Sequence, residues 1–237
     1  GLSDPEAVRL LAHEGAARLH DLVALGVEFD RVGGGAGPFT SAVAGDGDAS
    51  GPLGWARGLE AAHSVARVLH AGGDATGRII ESALANALDA ARASGRMHVR
   101  EHTTAVAIVR GDDGRVCAVD VVPSAHFTGP GLGADAPAQR LAADAVVLAT
   151  GGNGQLYRHT TNPQVATGDG VVLGYAAGAA VVDLEFVQFH PTVLPGGGLV
   201  SEAVRGEGAV LLDGAGRRFL TGPGHDPRAE LAPRDVV

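Results

Sequence analysis

The sequence predicts an α/β fold with an inserted antiparallel layer, and three features of the chain support this interpretation. Two segments with apolar residues at helical spacing, 4–25 and 77–94, predict helices. Apolar residues at alternating positions on both sides of a turn at 111–114 predict a β-hairpin. A continuous apolar run at 145–149 is typical of a strand buried on both faces of a sheet. Helix, hairpin and buried strand in this order favour an α/β domain.

The first helix is marked at both ends. Asp4 has the side chain of a good N-cap, and Pro5 suits the first helical position. Gly26 suits the residue after a helix end, because glycine adopts a positive φ at little cost. The expected apolar face of this helix consists of Val8, Leu11, Leu19, Leu22 and Val23.

The second helix and the hairpin follow from the same reasoning. Thr76 is the expected N-cap of the helix, and Gly95 is expected to end it. The first hairpin strand is expected to start at Val99, and its partner strand to cover 116–122. The expected apolar face of the second helix consists of Ile80, Leu84, Leu88 and Ala91.

Glycine-rich segments separate these elements. Segments 33–54 and 124–140 have little periodicity, which predicts loops. A further helix is expected over 168–178, beginning near Asp169. From about residue 188 the pattern changes to turns and short strands, which predicts the start of a second domain.

Length, charge and cysteine content restrict the class of protein. The 237 residues suit one large domain or one and a half, and the net charge of −9 argues against a general binder of nucleic acid or anionic membranes. The single cysteine, Cys117, allows no internal disulfide and fits a reducing compartment. No apolar run reaches the roughly 18 residues that span a bilayer, and no signal peptide is recognisable, so a cytoplasmic protein is expected. Because the sequence starts at Gly1 and stops at Val237 without a terminating feature, we expect an internal piece of a longer chain.

A first candidate binding motif follows the apolar run. Thr150, Gly151 and Gly152 stand where the expected strand ends, and ligands of open α/β sheets bind at that edge. Glycine there lets the backbone approach a ligand closely, which favours a nucleotide-binding domain, although a tight turn is the alternative. Asp169 either caps the following helix or accepts hydrogen bonds from a hydroxyl-rich group.

Polar residues in the last part of the chain are candidates for a catalytic site. His190 interrupts an apolar stretch just before Pro191, which favours a position at a cleft, although an isolated histidine is more often a core residue. Ser201 could donate a hydrogen bond to a carboxylate ligand. Arg234, beside Pro233, could clamp a carboxylate with two parallel hydrogen bonds or form a charged surface pair.

Spacing alone does not assign the other charged residues. Glu202 and Glu207 flank Arg205, an arrangement that is also expected of a structural ion-pair network. Glu60 precedes His63 in a segment whose spacing gives neither residue a role. The ten histidines show no spacing typical of metal ligands, so no metal site is expected.

Five motifs occur in a fixed order, and together they are more specific than any one of them. In sequence they are Ala149–Gly152, Thr167–Gly170, Leu184–Thr192, Arg205–Gly208 and Arg234–Val237. The series resembles the flavoprotein subunits of succinate dehydrogenase and fumarate reductase and the L-aspartate oxidases, over about residues 55–237. Three details are more similar to the L-aspartate oxidase branch, namely Thr160–Pro163, Glu230–Asp235 and Glu60 just before His63.

The resemblance implies an α/β fold made of an FAD-binding Rossmann-like domain with an inserted antiparallel β layer, followed by the start of an α+β capping domain. The partial FAD-binding domain would cover 1–188, and the truncated capping domain would cover 189–237. The Gly-x-Gly-x-x-Gly fingerprint with which such domains begin is absent from this sequence. We therefore expect the isolated chain to be inactive or to bind flavin weakly.

The activity implied by the resemblance is FAD-dependent oxidation of L-aspartate to iminoaspartate, with oxygen or fumarate as the electron acceptor. That reaction is the first step of quinolinate and NAD biosynthesis, and a quinolinate synthase would be a candidate partner. Neither a nucleic acid nor a membrane is implied as a partner. A succinate dehydrogenase or fumarate reductase flavoprotein subunit and a truncated, non-catalytic module stay open as alternatives.

The resemblance also assigns roles to residues. Glu60 would orient the substrate ammonium, while His190 and Ser201 would hold a substrate carboxylate. Arg234 matches an arginine that transfers a proton, but because arginine stays protonated it also suits an electrostatic clamp. The implied FAD contacts are Thr104, Ala105, Thr150, Gly151, Gly152 and Asp169.

Overall fold

The structure is a computed structural model of the chain, and it describes residues 3–33, 54–124, 137–196 and 198–237. Most of the predicted loop at 33–54, and 125–136 of the predicted loop at 124–140, lie outside the described residues. None of the helices in the described ranges is long and apolar enough to cross a membrane.

The chain divides into two compact units that interleave along the sequence. The first unit comprises Gly1–His98, Phe189–Thr192 and Val200–Val237, and the second comprises Val99–Gln188 and Val193–Leu199. The predicted division into an FAD-binding part, 1–188, and a capping part, 189–237, concerns the roles of these segments and stays a prediction.

Among its described residues, the first unit contains three α-helices and a short antiparallel strand pair. Its elements are α1 (Pro5–Ala24), β1 (Arg57–Gly58), β2 (Val68–Leu69), α2 (Thr76–Ala93), α4 (Glu202–Gly206) and a 3₁₀ turn at Ala229–Leu231. The predicted ends of α1 are confirmed, because a carboxylate oxygen of Asp4 accepts hydrogen bonds from the amides of Glu6 (2.7 Å) and Ala7 (3.3 Å). Gly26 has a φ of 100°, as expected of the residue after a helix end.

The core of the first unit is small. Val27, Phe29, Ala71 and Ala83 form its buried cluster, and the ring of Trp55 meets the ring of Phe29 edge-on at 5.4 Å. The predicted apolar face of α1 is only partly correct. Leu19 and Leu22 pack against this cluster, whereas Val8, Leu11 and Val23 are exposed, because only the C-terminal half of the apolar stripe reaches the core among the described residues.

Helix α2 forms where the sequence predicts it, but its N-cap differs. Ala75 occupies the N-cap position, and the Thr76 hydroxyl accepts a hydrogen bond from the Ala71 amide at 3.0 Å. The threonine therefore fixes the loop before the helix rather than capping it. On the predicted apolar face, Ile80 packs against the core but Leu84 is exposed.

The part of the second unit that the structure describes is built on a three-stranded antiparallel sheet in the order β3–β4–β5, together with a 3₁₀ turn and one helix. Its elements are β3 (Thr103–Arg110), β4 (Val116–Pro123), β5 (Gln139–Ala142), the 3₁₀ turn Gly154–Leu156 and α3 (Asp169–Ala176). The predicted hairpin is confirmed as β3 and β4, although the strand begins at Thr103 rather than at Val99.

The prediction of a loop over the whole of 124–140 is wrong at its end, where β5 begins. Leu141 pairs with Val119 of β4, and the guanidinium of Arg140 binds the Asp120 carboxylate with two hydrogen bonds of 2.8 Å. Strand β5 thus covers an edge of β4 that would otherwise leave backbone groups unpaired.

The prediction that 145–149 forms a strand buried on both faces is also wrong for the described residues. This segment pairs with no strand among them, and Val147 and Leu148 are exposed, Val147 by 88%. Leu148 nevertheless lies against α3, since a Cβ built on Gly174 would lie 3.4 Å from its Cδ1. Such a strand needs partner strands and cover on both faces. The described residues provide cover from α3 only.

Candidate functional site

Glu60 and His70 form an ion pair at the ends of the short strand pair of the first unit. Gly58 of β1 pairs with Val68 of β2 in an antiparallel register, with Glu60 two residues after β1 and His70 directly after β2. A carboxylate oxygen of Glu60, Oε1, lies 2.9 Å from Nε2 of His70. Both side chains are about one-fifth exposed, with values of 22% for Glu60 and 19% for His70.

The two pKa values shift in opposite directions. The hydrogen bond from His70 lowers the pKa of the Glu60 carboxyl, and nearby His63 and Arg234 lower it further. The hydrogen bond to Glu60 raises the pKa of the His70 imidazole. Both shifts favour the ionised carboxylate and the protonated imidazole, so Glu60 carries the negative charge that an ammonium ligand requires.

The loop that carries Glu60 contacts the C-terminal segment of the same unit through a backbone hydrogen bond and close packing. The Ala62 amide donates to the Leu231 carbonyl at 2.9 Å, with Ala62 in the left-handed region at φ 63°. A Cβ built on Gly206 would lie 2.5 Å from the carbonyl oxygen of Leu59, so only glycine allows α4 to approach this closely. These contacts place Glu60 beside the segment that leads to Arg234.

Arg234 is held by a buried carboxylate. Its Nη2 and Nε donate to Oε2 of Glu202 at 2.7 and 3.2 Å. The other oxygen of Glu202 accepts from Nη2 of Arg205 at 2.8 Å. Glu202 is 8% exposed and Arg205 is 2% exposed, so one carboxylate binds two guanidinium groups out of contact with most of the solvent. Arg234, whose side chain is 32% exposed, thus pairs with a buried carboxylate rather than with one at the surface.

A second carboxylate, that of Glu230, adds to the ion pairs around Arg205. Glu230 accepts hydrogen bonds from Arg218 at 2.5 and 2.9 Å, and its backbone carbonyl accepts one from Nη1 of Arg205 at 2.6 Å. The Arg218 guanidinium lowers the pKa of the Glu230 carboxyl to about 2. We refer to Glu202, Arg205, Arg218, Glu230 and Arg234 as the arginine–glutamate cluster. It confirms the expectation of an ion-pair network around Arg205.

Sequence reasoning gave Glu202 no role beside Arg234. The one local signal was the spacing of Glu202 and Arg205, which lie three residues apart and share a helix face. Its contact with Arg234 spans 32 residues and has no counterpart in the sequence pattern.

His190 faces this cluster in a neutral form. The Thr192 amide donates to Nδ1 of His190 at 3.3 Å, and the Thr192 hydroxyl, which donates to the Val200 carbonyl, lies 3.3 Å from the same nitrogen. Burial lowers the pKa of the His190 imidazole, and the positive charge of Arg234 lowers it further. Because Nδ1 accepts from an amide, the proton of the neutral ring resides on Nε2, which can then donate to a ligand.

Ser201 is the N-cap of α4. Its Oγ accepts a hydrogen bond from the Ala203 amide at 3.3 Å. Capping uses a lone pair of the oxygen, so the hydroxyl proton stays available for a ligand. Glu60, His190, Ser201 and Arg234 therefore all belong to one compact unit, and together they offer a carboxylate, a neutral donor, a hydroxyl and a guanidinium. That set of groups suits a dicarboxylate that also carries an ammonium.

The residues expected to contact a cofactor all belong to the second unit. A Cβ built on Gly170 would overlap the Thr150 side chain, so this glycine lets α3 begin directly against Thr150. Gly151 has a φ of 73°, which favours glycine. Asp169 lies in the first turn of α3, where its carboxylate accepts from the Thr167 hydroxyl at 2.7 Å rather than capping the helix.

This motif has a shape and a set of donors that suit a nucleotide. Among the described residues, nothing lies within 4 Å of a Cβ built on Gly151 or Gly152, so their backbone borders open space. Thr150 and Asp169 are exposed and offer a hydroxyl and a carboxylate beside it. Backbone amides suit a diphosphate, and a carboxylate suits ribose hydroxyls, so these residues fit a dinucleotide cofactor.

Thr104 and Ala105 lie on β3 in the same unit. The hydroxyl of Thr104 shares a hydrogen bond of 2.9 Å with that of Ser124, and Ala105 pairs with Val121 of β4 just before a bulge. In the described ranges no hydrogen bond joins Thr104 or Ala105 to Thr150 or Asp169. Their assignment to the cofactor stays a prediction.

The chain is similar to flavoproteins over its whole length. A family model described as an FAD binding domain matches residues 1–237. L-aspartate oxidases from Streptomyces coelicolor, Synechocystis sp. and Caulobacter vibrioides are 44%, 42% and 41% identical to it. These matches include 100% of this chain but 37%, 37% and 40% of the relatives, so the chain spans about two-fifths of their length.

Two solved structures are similar to the fold. One is FrdA from a mutant of E. coli quinol fumarate reductase, with a TM-score of 0.70 and 26% identity over 94% of this chain and 34% of that chain. The other is the open conformation of a flavocytochrome c3 fumarate reductase, with a TM-score of 0.59 and 28% identity over 95% of this chain and 34% of that chain. The mixed helix and strand content is thus that of a flavoprotein, while the parallel Rossmann-like sheet is not among the described elements. The chain belongs to the FAD-binding domain family, and the expectation of FAD as its cofactor is confirmed.

Proposed function

We propose that the protein oxidises L-aspartate to iminoaspartate, with FAD as the hydride acceptor. The observation that carries this proposal is the ionised Glu60 in the same compact unit as His190, Ser201 and Arg234. His190, Ser201 and Arg234 suit any dicarboxylate. The Glu60 carboxylate, in contrast, would repel succinate and attract the ammonium of aspartate. The similarity to L-aspartate oxidases over the whole chain supports the same substrate.

In this proposal each side chain has one task. Nε2–H of His190 and the hydroxyl of Ser201 donate to one carboxylate of the substrate, and Glu60 accepts from its ammonium. Arg234 provides fixed positive charge near the reacting carbon, where Glu202 holds the guanidinium in place. When bound, FAD supplies the two-electron acceptor for the hydride of the substrate Cα–H bond.

The buried contact with Glu202 favours one of the two roles expected for Arg234. The Arg234 guanidinium donates two hydrogen bonds to one carboxylate oxygen, which fixes it as a donor. Arg234 would then act as an electrostatic clamp that holds a substrate carboxylate, and not as the group that takes up the proton leaving the substrate nitrogen.

Further parts of the proposal rest on the similarity alone. The electron acceptor would be oxygen or fumarate, and the product would enter quinolinate and NAD biosynthesis in the cytoplasm. A quinolinate synthase would be a partner that consumes the unstable imine. The expectation that the isolated chain is inactive or binds flavin weakly belongs to the same set of predictions.

The test is anaerobic reduction, by L-aspartate and by succinate, of the FAD-loaded longer protein of which this chain is expected to be a piece, measured as loss of the oxidised flavin absorbance. Reduction by aspartate and not by succinate is the expected result. Reduction by succinate alone would instead support a fumarate reductase or succinate dehydrogenase subunit, which the structural similarity to fumarate reductases keeps as the second candidate. A folded protein that takes up no flavin would support the non-catalytic alternative.

A further inference from the structure

We propose that His70 is a positioning residue that fixes which oxygen of Glu60 faces the substrate ammonium. This inference rests on the proposed function, because it assigns a task within the same site. His70 touches no expected part of the substrate or the cofactor, so its effect would pass through Glu60.

The hydrogen bond from His70 makes the two oxygens of the Glu60 carboxylate inequivalent. Oε1 lies 2.9 Å from Nε2 of His70, whereas Oε2 has no hydrogen-bond partner among the residues that the structure describes. A carboxylate that is bound on one side keeps the lone pairs of the other oxygen for a ligand. Oε2 is therefore the atom to which the ammonium would donate.

The His70 ring and backbone have contacts in addition to the hydrogen bond with Glu60. A Cβ built on Gly58 would lie 2.6 Å from Cε1 of His70, so the ring occupies a slot that exists only because residue 58 lacks a side chain. The His70 carbonyl accepts from the Asp30 amide at 2.8 Å. The Asp30 carboxylate then accepts from the amides of Gly72 and Gly73 at 2.9 Å each, which fixes the chain just after the histidine.

The charges around the pair explain why Glu60 needs this restraint. The charges of His63 and Arg234 lower the pKa of Glu60, and the charges of Asp30 and Glu207 raise the pKa of His70. A Glu60 carboxylate without His70 would be drawn towards the guanidinium of Arg234, which the proposed substrate needs for itself. His70 thus keeps the two charged groups of the site apart and available.

The experiment compares His70→Ala with His70→Gln in the FAD-loaded protein. For His70→Ala the aspartate concentration that gives the half-maximal rate of anaerobic flavin reduction should rise on the order of tenfold, as expected for a charge-assisted hydrogen bond that is lost. The inhibition constant of succinate, which has no ammonium, should change less than about twofold. His70→Gln keeps an N–H donor and should recover most of the aspartate affinity. His20→Ala is the matched control, because that ring contacts Trp55 and no carboxylate.

A double mutant distinguishes the proposed role of His70 from a folding defect caused by the substitution. In a Glu60→Gln background, His70→Ala should add little to the loss of aspartate affinity, because the two residues act as one unit. Equal losses for aspartate and succinate, additive losses in the double mutant, or no loss at all would each overturn the role of His70. If the wild-type flavin is reduced by succinate and not by aspartate, the proposed function fails first, and this inference fails with it.

Discussion

The candidate substrate residues and the candidate cofactor residues are held in different ways. In the first unit the side chains of the arginine–glutamate cluster and the Glu60–His70 pair are fixed by charge-assisted hydrogen bonds, several of them buried. In the second unit the residues 150–152 and Asp169 are exposed. The backbone determines the shape of this region, through the φ of Gly151 and the close approach of Gly170 to Thr150. Removal of charge should therefore disturb the first region more than the second, and in the second region the sensitive property should be side-chain volume at residue 170.

The largest effect is expected when Glu202 is replaced by leucine. Two guanidinium groups would lose the carboxylate between them, which costs about 3–5 kcal/mol when one partner of a buried pair is removed. Urea denaturation at neutral pH measures the change in the free energy of unfolding. Asp213→Asn is the control, because its partner Arg217 is exposed and such pairs contribute at most about 1 kcal/mol. Equal losses in the two variants would contradict the distinction.

A smaller effect is expected from added volume in the second unit. Gly170→Ala places a methyl group against Thr150 and should cost about 1–3 kcal/mol, as overpacking does. The matched control is Gly15→Ala in α1, where nothing lies near the new methyl and stability should rise by about 0.5–1 kcal/mol. Both changes are measured as shifts in the free energy of unfolding.

The contact between residue 170 and Thr150 can also be tested by a rescue experiment. Thr150→Ala, added to Gly170→Ala, removes Oγ1 and Cγ2, two of the three Thr150 atoms that the new methyl group meets, so it should restore part of the lost stability. A double variant that is less stable than both single variants would show that the cost at residue 170 has another origin.

The smallest effect concerns acid stability. Arg218 lowers the pKa of Glu230 from 4.5 to about 2, so the stabilisation from this pair is fully present above about pH 4.5 and is lost as the pH falls towards about 2. Arg218→Gln should flatten the dependence of unfolding free energy on pH within that window. Arg9→Gln, which removes an exposed pair with Glu6, should leave the dependence unchanged. An unaltered slope in Arg218→Gln would contradict the assignment.

Local signals in the sequence were sufficient for elements that are stabilised locally. Asp4, Pro5 and Gly26 mark α1 because capping depends on residues within a few positions. The hairpin was predictable for the same reason, since a four-residue turn fixes the pairing of β3 with β4. The prediction that Thr76 caps α2 was wrong for a different reason. The Thr76 hydroxyl accepts a hydrogen bond from the Ala71 amide in the preceding loop instead of from an amide of the helix.

Contacts between distant segments could not be derived from the pattern. The burial of Val147 depends on which strands lie beside it, and no local signal reports that. Of the site, the family resemblance singled out Glu60, His190, Ser201 and Arg234. It did not identify His70 as a partner of Glu60 or Glu202 as a partner of Arg234, because those contacts arise only when separate segments fold together.

The most direct test of the account is the substrate preference of the FAD-loaded protein before and after Glu60→Gln. Anaerobic flavin reduction is measured with L-aspartate over a range of concentrations, and succinate is measured as an inhibitor. The account predicts that the wild type is reduced by aspartate, and that the variant needs about 10- to 100-fold more aspartate while binding succinate as well as before or better. A variant that keeps its affinity for aspartate, or loses aspartate and succinate equally, would contradict the claim that Glu60 recognises the ammonium.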